Sequence, residues 1–173
     1  MKKIFLVAVA AALMIAAGAV QVQAQKYAVI DSEYILNKMP RYKNAQEQVD
    51  KYAAGYQKEV DDLYKKVDEM FRTFQAEKML LTEEIKRKRE EEIIAKEKEA
   101  KELQRTHFGP EGTLFKKREE LLKPIQDQLY NAIKDMASEG AYCVIFDAAN
   151  NPSLIYINPR YDRSDDVLKR LGF

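Results

Sequence analysis

Residues 49–74, VDKYAAGYQKEVDDLYKKVDEMFRTF, decide the fold of this 173-residue chain. Their apolar side chains recur at alternating intervals of four and three residues. Such heptad spacing places the apolar side chains on one stripe of a long helix, here called the seam, which is expected to supercoil against a long partner. The seam comprises Val49, Ala53, Tyr56, Val60, Leu63, Val67, Met70 and Phe74.

The sequence after the seam predicts a helical hairpin over residues 41–138, here called the arm. Thr82, followed by two glutamates, is a favourable helix start and places the tip of the hairpin near residues 79–84. Fifteen of the twenty residues 83–102 are charged, so the upper return helix is predicted to be largely solvated. Gly-Pro-Glu-Gly at residues 109–112 predicts a break in the return helix. A second apolar stripe follows the break, at Phe115, Leu122, Ile125, Leu129, Ala132 and Met136.

Short β-prone runs lie on both sides of the arm, at residues 27–31, 141–147 and 154–157. They predict a small discontinuous β-rich body formed by residues 25–40 and 139–173. A sheet of three short strands is marginal by itself, so we expect the body to join copies of the chain. The side chains expected in this oligomerisation body are Val29, Ile30, Val144, Ile145, Phe146, Ile155 and Ile157.

The N-terminal segment has the features of a secretory signal peptide. Lys2 and Lys3 precede an apolar stretch, and Val22-Gln23-Ala24 offers small residues where a signal peptidase cuts. We expect residues 1–24 to be removed and the mature chain to start at Gln25, in an exported protein. The alternative is an uncleaved anchor helix, although the apolar stretch is short for one. Cys143, the only cysteine, is expected to be a buried small apolar residue, with an intermolecular disulfide as the alternative.

Charge and motif content argue against enzymatic and nucleic-acid functions. Without Lys2 and Lys3, the 29 basic residues fall to 27 against 28 acidic ones, so no basic field recruits nucleic acid. The single histidine, His107, lies beside the predicted break and is more typical of a structural residue than of a metal ligand or catalytic base. No phosphate-binding glycine loop or paired-histidine motif is present. We therefore expect no catalytic residue, no metal site and no cofactor.

The candidate functional residues lie on the arm. A basic cluster near the tip predicts contact with anionic lipid headgroups, lipopolysaccharide or acidic chains, although a merely solvated charged face is the alternative. This cluster consists of Lys78, Lys86, Arg87, Lys88 and Arg89. Apolar side chains off the seam or at its end would suit promiscuous binding, because methionine repacks easily, but packing of the tip needs some of the same residues. These candidates are Phe71, Met79, Leu80 and Leu81. Tyr52 and Tyr64, which lie beside the seam, are candidates for side chains that face a cavity between arms.

In the order and spacing of its pieces, the sequence resembles the Skp/OmpH family of periplasmic chaperones for outer-membrane proteins. The resemblance rests on YAVID at 27–31, SEYIL at 32–36, the arm from Arg41, KKREELL at 116–122, Ile125, Ala132, Ile133, YCVIFD at 142–147 and DDVL at 165–168. It implies a mainly α fold, in which helical arms project from a small β body that joins three protomers. It also implies that unfolded outer-membrane β-barrel chains are held between the arms without ATP.

One property departs from the family pattern. The best-known members are distinctly basic, whereas residues 41–138 of this chain carry 21 basic and 21 acidic side chains. The near-neutral charge of the arm therefore gives little support to the idea that its overall charge attracts unfolded chains. The rival hypothesis is a structural or adaptor coiled coil of the cell envelope that docks one folded partner. Protection of several unrelated unfolded chains from aggregation would favour the chaperone hypothesis. Stoichiometric binding to one folded protein would favour the adaptor hypothesis.

Overall fold

The computed structural model describes residues 25–149 and 151–173, and the predicted signal peptide lies outside these residues. The strands are β1 (Lys26–Ile30) and β2 (Tyr142–Asp147). The α-helices are α1 (Ser32–Lys38), α2 (Pro40–Glu77), α3 (Glu83–Phe108), α4 (Thr113–Gly140) and α5 (Ser164–Leu171). Short 3₁₀ turns occupy Lys78–Leu80 and Pro159–Tyr161. Long helices with a small two-stranded sheet confirm the predicted fold class.

Helix α2 is the longest element and forms one side of the arm. It begins with Pro40, whose fixed φ suits the first helical position, and its 38 residues span about 57 Å. It packs against α3 along its upper half, which is the half nearer the tip, and against α4 along its lower half, which is nearer the body. All eight seam residues are buried or half-buried, with Val49, Val60 and Phe74 the most enclosed.

The tip of the arm is a tight reversal at residues 78–82. Leu81 is extended, and the Thr82 side-chain oxygen caps α3 by accepting a hydrogen bond from the Ile85 amide at 3.4 Å. Glu83 and Glu84 follow in the first turn of α3, where carboxylates complement the helix dipole.

The break between α3 and α4, here called the corner, is closely packed. The Gly109 amide donates to the Arg105 carbonyl at 2.8 Å, and the Gly112 amide donates to the Gly109 carbonyl at 2.9 Å. A Cβ atom at Gly109 would overlap the Arg105 carbonyl oxygen, and one at Gly112 would lie 2.8 Å from the His107 and Thr106 carbonyl oxygens. The corner therefore needs glycine at both ends because backbone oxygens fill the space of a side chain.

The small sheet joins the two ends of the described chain. Strands β1 and β2 are parallel, with Ala28 opposite Ile145, and the whole arm forms the connection between them. The other edge of β1 is closed by the Arg163 amide, which donates to the Val29 carbonyl at 2.8 Å. Under the sheet lies an apolar core made of Ile30, Ile35, Leu129, Met136, Val167 and Leu168.

The prediction of a third strand at residues 154–157 is wrong for the protomer. This segment pairs with neither β1 nor β2, and Ile155 is 97% exposed. Both edges of β1 are already occupied, by β2 and by the segment around Arg163. A turn closed by the Leu154 amide on the Asn151 carbonyl, at 3.1 Å, precedes the segment. Apolar β-branched residues therefore gave a strand-like pattern where the protomer supplies no partner strand.

We predict that Gly109→Ala lowers the free energy of unfolding by about 1–3 kcal/mol, because the new methyl group must displace backbone at the corner. Gly55→Ala is the matched control, since a Cβ there meets nothing within 4 Å in the middle of α2. That change should stabilise the protein by about 0.5–1 kcal/mol. Urea unfolding followed by circular dichroism measures both values, and equal effects of the two changes would contradict a close-packed corner.

Candidate functional site

The largest apolar exposure on the arm is at and just below its tip. Met79 and Leu80 are 92% and 86% exposed, and Ile94 is 64% exposed. Phe71 and Ile85 are about half exposed. Five large apolar side chains thus remain in solvent on two helices and the turn that joins them. Clustered apolar exposure of this kind is typical of an interaction surface rather than of scattered surface residues.

A shallow cleft of about 350 Å³ lies between α2 and α3 below the tip. Phe71 and Phe74 from α2 and Ile93 and Ile94 from α3 supply its apolar lining. The Lys78 ammonium lies 5.4 Å from the centre of the Phe74 ring, within cation–π range. The cleft can therefore receive an apolar or aromatic side chain beside a positive charge.

Sequence reasoning missed the part of this site that α3 supplies. Ile93, Ala100 and His107 repeat every seven residues, with Leu103 between the last two, and all four are buried or half-buried. This spacing is a heptad stripe that the dense charges of residues 83–102 obscured. Lys86 and Lys96 are half-buried on the same helix. The upper return helix therefore packs on α2 with few apolar contacts.

The structure divides the predicted binding residues into two groups. Phe71, Met79 and Leu80 lie together at the tip, and Leu81 beside them is half-buried. The tyrosines lie lower and contact neighbouring helices. The Tyr64 hydroxyl lies 3.3 Å from Gln104 Oε1 on α3.

Tyr52, the other tyrosine of the set, is 40% exposed. Its ring stacks on Tyr56 with centroids 6.1 Å apart, and the Lys117 ammonium of α4 lies 5.5 Å from its centroid. Tyr52 therefore belongs to the surface near the corner rather than to the tip.

The basic cluster is partly neutralised. The Lys86 ammonium lies 2.6 Å from Glu83, and this hydrogen bond holds the pKa of the Glu83 carboxyl below its usual range. Arg87 lies 3.9 Å from Glu91. Within the part of the chain that the structure describes, Lys78, Lys88 and Arg89 form no ion pair, although Lys78 lies over the Phe74 ring. Lys88 and Arg89, which have neither an ion pair nor a ring contact among the described residues, are therefore the most available charges for an anionic surface.

His107 links the three helices that meet at the corner. Its ring is 8% exposed and stacks on Tyr56 of α2, with centroids 4.2 Å apart and an interplanar angle of 8°. Its Nε2 lies 3.1 Å from Glu59 of α2, and its Nδ1 lies 2.7 Å from the Thr113 hydroxyl at the start of α4. The ring nitrogens are thus engaged by structural partners on both sides. Over residues 25–149 and 151–173, no cluster of three or more histidine, cysteine and acidic side chains is arranged to hold a metal ion.

The body residues predicted for oligomerisation fall into three groups, which are buried, half-buried or exposed in the protomer. Val29 and Ile30 are 7% and 3% exposed and pack inside the protomer. Val144 and Phe146 on β2 are large apolar side chains that are 47% and 44% exposed. In the described structure, β2 pairs with one strand only, β1. The half-buried members are Ile145 and Ile157, and Ile155 is exposed.

Cys143 on β2 is exposed, so the expectation of a buried small apolar residue is wrong for the protomer. Successive strand residues alternate in direction, but β2 lies at the open edge of the sheet and is covered less than a central strand. Of the described helices, none combines the length and apolar character needed to span a bilayer.

Two comparisons with known proteins, by sequence family and by structure, each give an OmpH-like protein. The family model described as "Outer membrane protein (OmpH-like)" matches residues 26–171. A crystal structure of an OmpH-like protein from Caulobacter crescentus, described as a candidate outer membrane chaperone, matches with a TM-score of 0.65 at 13% identity. The match covers 86% of this chain and 84% of that one. No curated protein matches the sequence significantly. Because the family model spans nearly the whole described chain, from β1 to the end of α5, the protein belongs to the OmpH-like family.

Proposed function

We propose that the protein is an ATP-independent periplasmic holdase chaperone, which binds unfolded outer-membrane proteins between helical arms and prevents their aggregation. Membership of the OmpH-like family supports this proposal. The observation that carries it is the exposure of Met79, Leu80, Phe71 and Ile94 around the apolar cleft of the upper arm. No catalytic chemistry is needed for such a role.

The chemistry of the upper arm suits an unfolded β-barrel chain. Such a chain exposes apolar side chains at alternate positions, because they face lipid in the folded barrel. Flexible Met79 and Leu80 can contact many such side chains without a fixed geometry, and complete burial of either contributes roughly 1.5–3 kcal/mol. Binding through many weak contacts leaves no single side chain essential. It also allows release without an energy source.

We further propose that three protomers associate through their bodies. Exposed Val144 and Phe146 lie on an open strand, and such an edge is a template for pairing with another chain. The irregular segment with exposed Ile155 is available to become a strand when a neighbouring copy supplies the partner. Association at this end would hold the arms around a shared cavity.

The first prediction of the proposal concerns client protection. A variant with Phe71→Ser, Met79→Ser, Leu80→Ser and Ile94→Ser should bind an unfolded barrel protein at least about tenfold more weakly, because apolar contacts are lost. These side chains are exposed, so each change should alter the free energy of unfolding by only about 0.5 kcal/mol. Light scattering during dilution of the denatured barrel protein measures protection.

The control is a Phe115→Ser, Tyr130→Ser variant, which removes exposed aromatic side chains from α4 instead. It should protect nearly as well as the wild type. If the wild-type protein in molar excess leaves aggregation unchanged, the chaperone proposal is wrong. Stoichiometric binding to one folded protein, without protection of several unrelated unfolded chains, would instead indicate the adaptor.

The second prediction concerns assembly. The mature chain should sediment as a trimer at micromolar concentration, and Val144→Asp with Phe146→Asp should shift it to monomers, because charges would be buried at the strand edge. Phe71→Asp with Ile94→Asp, on the arm, should leave the trimer intact. Wild-type chains that sediment only as monomers would contradict the proposed assembly.

A further inference from the structure

A second concave surface lies in the body, away from the tip of the arm. Its volume is about 620 Å³. One side is formed by the start of β1 and the other by the 3₁₀ turn before α5. The residues that line it are Gln25, Lys26, Tyr27, Tyr142, Arg160, Tyr161 and Arg163. We call it the body cavity.

All the charged residues that line the body cavity are cationic. Lys26, Arg160 and Arg163 contribute three cationic side chains, and none of the lining residues is acidic. The carboxylate of Asp166 forms an ion pair with Arg163 at 3.6 Å from its Nη1, which offsets part of one of the three charges. Within the described residues, the Arg160 side chain has no ion-pair or hydrogen-bond partner. Much of the positive charge is therefore not compensated by the protein.

Two of the cations are held in position by neutral groups. The Lys26 ammonium donates to the Gly140 carbonyl at 2.9 Å and lies 4.6 Å from the centre of the Tyr142 ring. Arg163 Nε donates to the Tyr142 hydroxyl at 3.0 Å. These contacts orient both side chains without cancelling their charge, so the remaining N–H groups are available as donors. Side chains oriented in advance lose less entropy when an anion binds.

Aromatic residues complete the wall. Tyr27 and Tyr161 stack with ring centroids 4.8 Å apart. A hydrogen bond with Tyr161 raises the pKa of the Tyr27 phenol above its ordinary value. Their hydroxyl groups add hydrogen-bond donors and acceptors to the lining of the cavity. The cavity is therefore rich in donors.

We propose that the body cavity binds a phosphate group, either free or as part of a lipid headgroup. A phosphate carries up to two negative charges and several acceptor oxygens, which suits three cations around one cavity better than a single carboxylate does. Arginine presents paired N–H groups that match phosphate oxygens. The inference is independent of chaperone activity, because it rests on the body rather than on the apolar surface of the upper arm.

Arg160→Gln in the full mature protein tests this proposal. The side chain is exposed, so its replacement should leave folding unchanged, as judged by circular dichroism. Arg118→Gln is the matched control, because Arg118 is also exposed and lies on α4 outside the cavity. Inorganic phosphate should bind the wild type saturably. Its affinity should be about tenfold lower for Arg160→Gln and unchanged for Arg118→Gln. Nuclear magnetic resonance titration gives the affinities and should shift the amides of Lys26 and Tyr161.

Vesicle cosedimentation distinguishes the two sources of phosphate. If the ligand is a lipid headgroup, phosphatidylcholine vesicles containing phosphatidic acid should bind Arg160→Gln more weakly than the wild type, while Arg118→Gln should bind like the wild type. Any binding through Lys88 and Arg89 at the tip is common to all three proteins. If both variants cosediment equally with the vesicles but only Arg160→Gln binds inorganic phosphate more weakly, the ligand is a free phosphate. Absence of saturable phosphate binding, or equal weakening by both substitutions, would overturn the proposal.

Discussion

The arm depends on burial of the α2 seam against helices that offer unequal apolar surface. Along its lower half, α2 meets α4, whose Leu122 and Ile125 are buried. Along its upper half it meets α3, where fifteen of the twenty residues 83–102 are charged. Exposed ion pairs contribute little to stability, so the upper arm relies on a few contacts around Phe74 and Ala100. Opening of the upper arm should therefore cost less free energy than opening of the lower arm.

This unequal packing explains why apolar side chains can remain exposed at the tip. The corner separates the two parts of the return helix, and His107 joins it to α2 through Tyr56 and Glu59. The lower arm and body can then hold the protomer together while the tip presents Met79 and Leu80 to solvent. The surface proposed to bind unfolded chains is thus the part of the arm that the fold needs least.

Periodicity predicted the main features of this fold from sequence. The seam, the second apolar stripe from Leu122 to Met136 and the mainly helical architecture follow from heptad spacing and from the position of glycine and proline, whereas Phe115, the first residue predicted for that stripe, is 47% exposed. Two features depended on tertiary pairing, and a third was present in the sequence but was overlooked. Residues 154–157 have strand-like composition but find no partner in the protomer, Cys143 is exposed because β2 is an edge strand, and the heptad spacing of Ile93 and Ala100 was hidden among charges.

The central claim is that an unfolded chain contacts the upper arm while the lower arm and body maintain the protomer. Hydrogen–deuterium exchange of the mature protein, with and without a bound unfolded barrel protein, tests it most directly. We expect the amides of residues 71–94 to exchange rapidly in the free protein and to become protected on binding. Those of β1 and of the lower part of α4 should change little. Protection confined to the body, with residues 71–94 unchanged, would contradict the account.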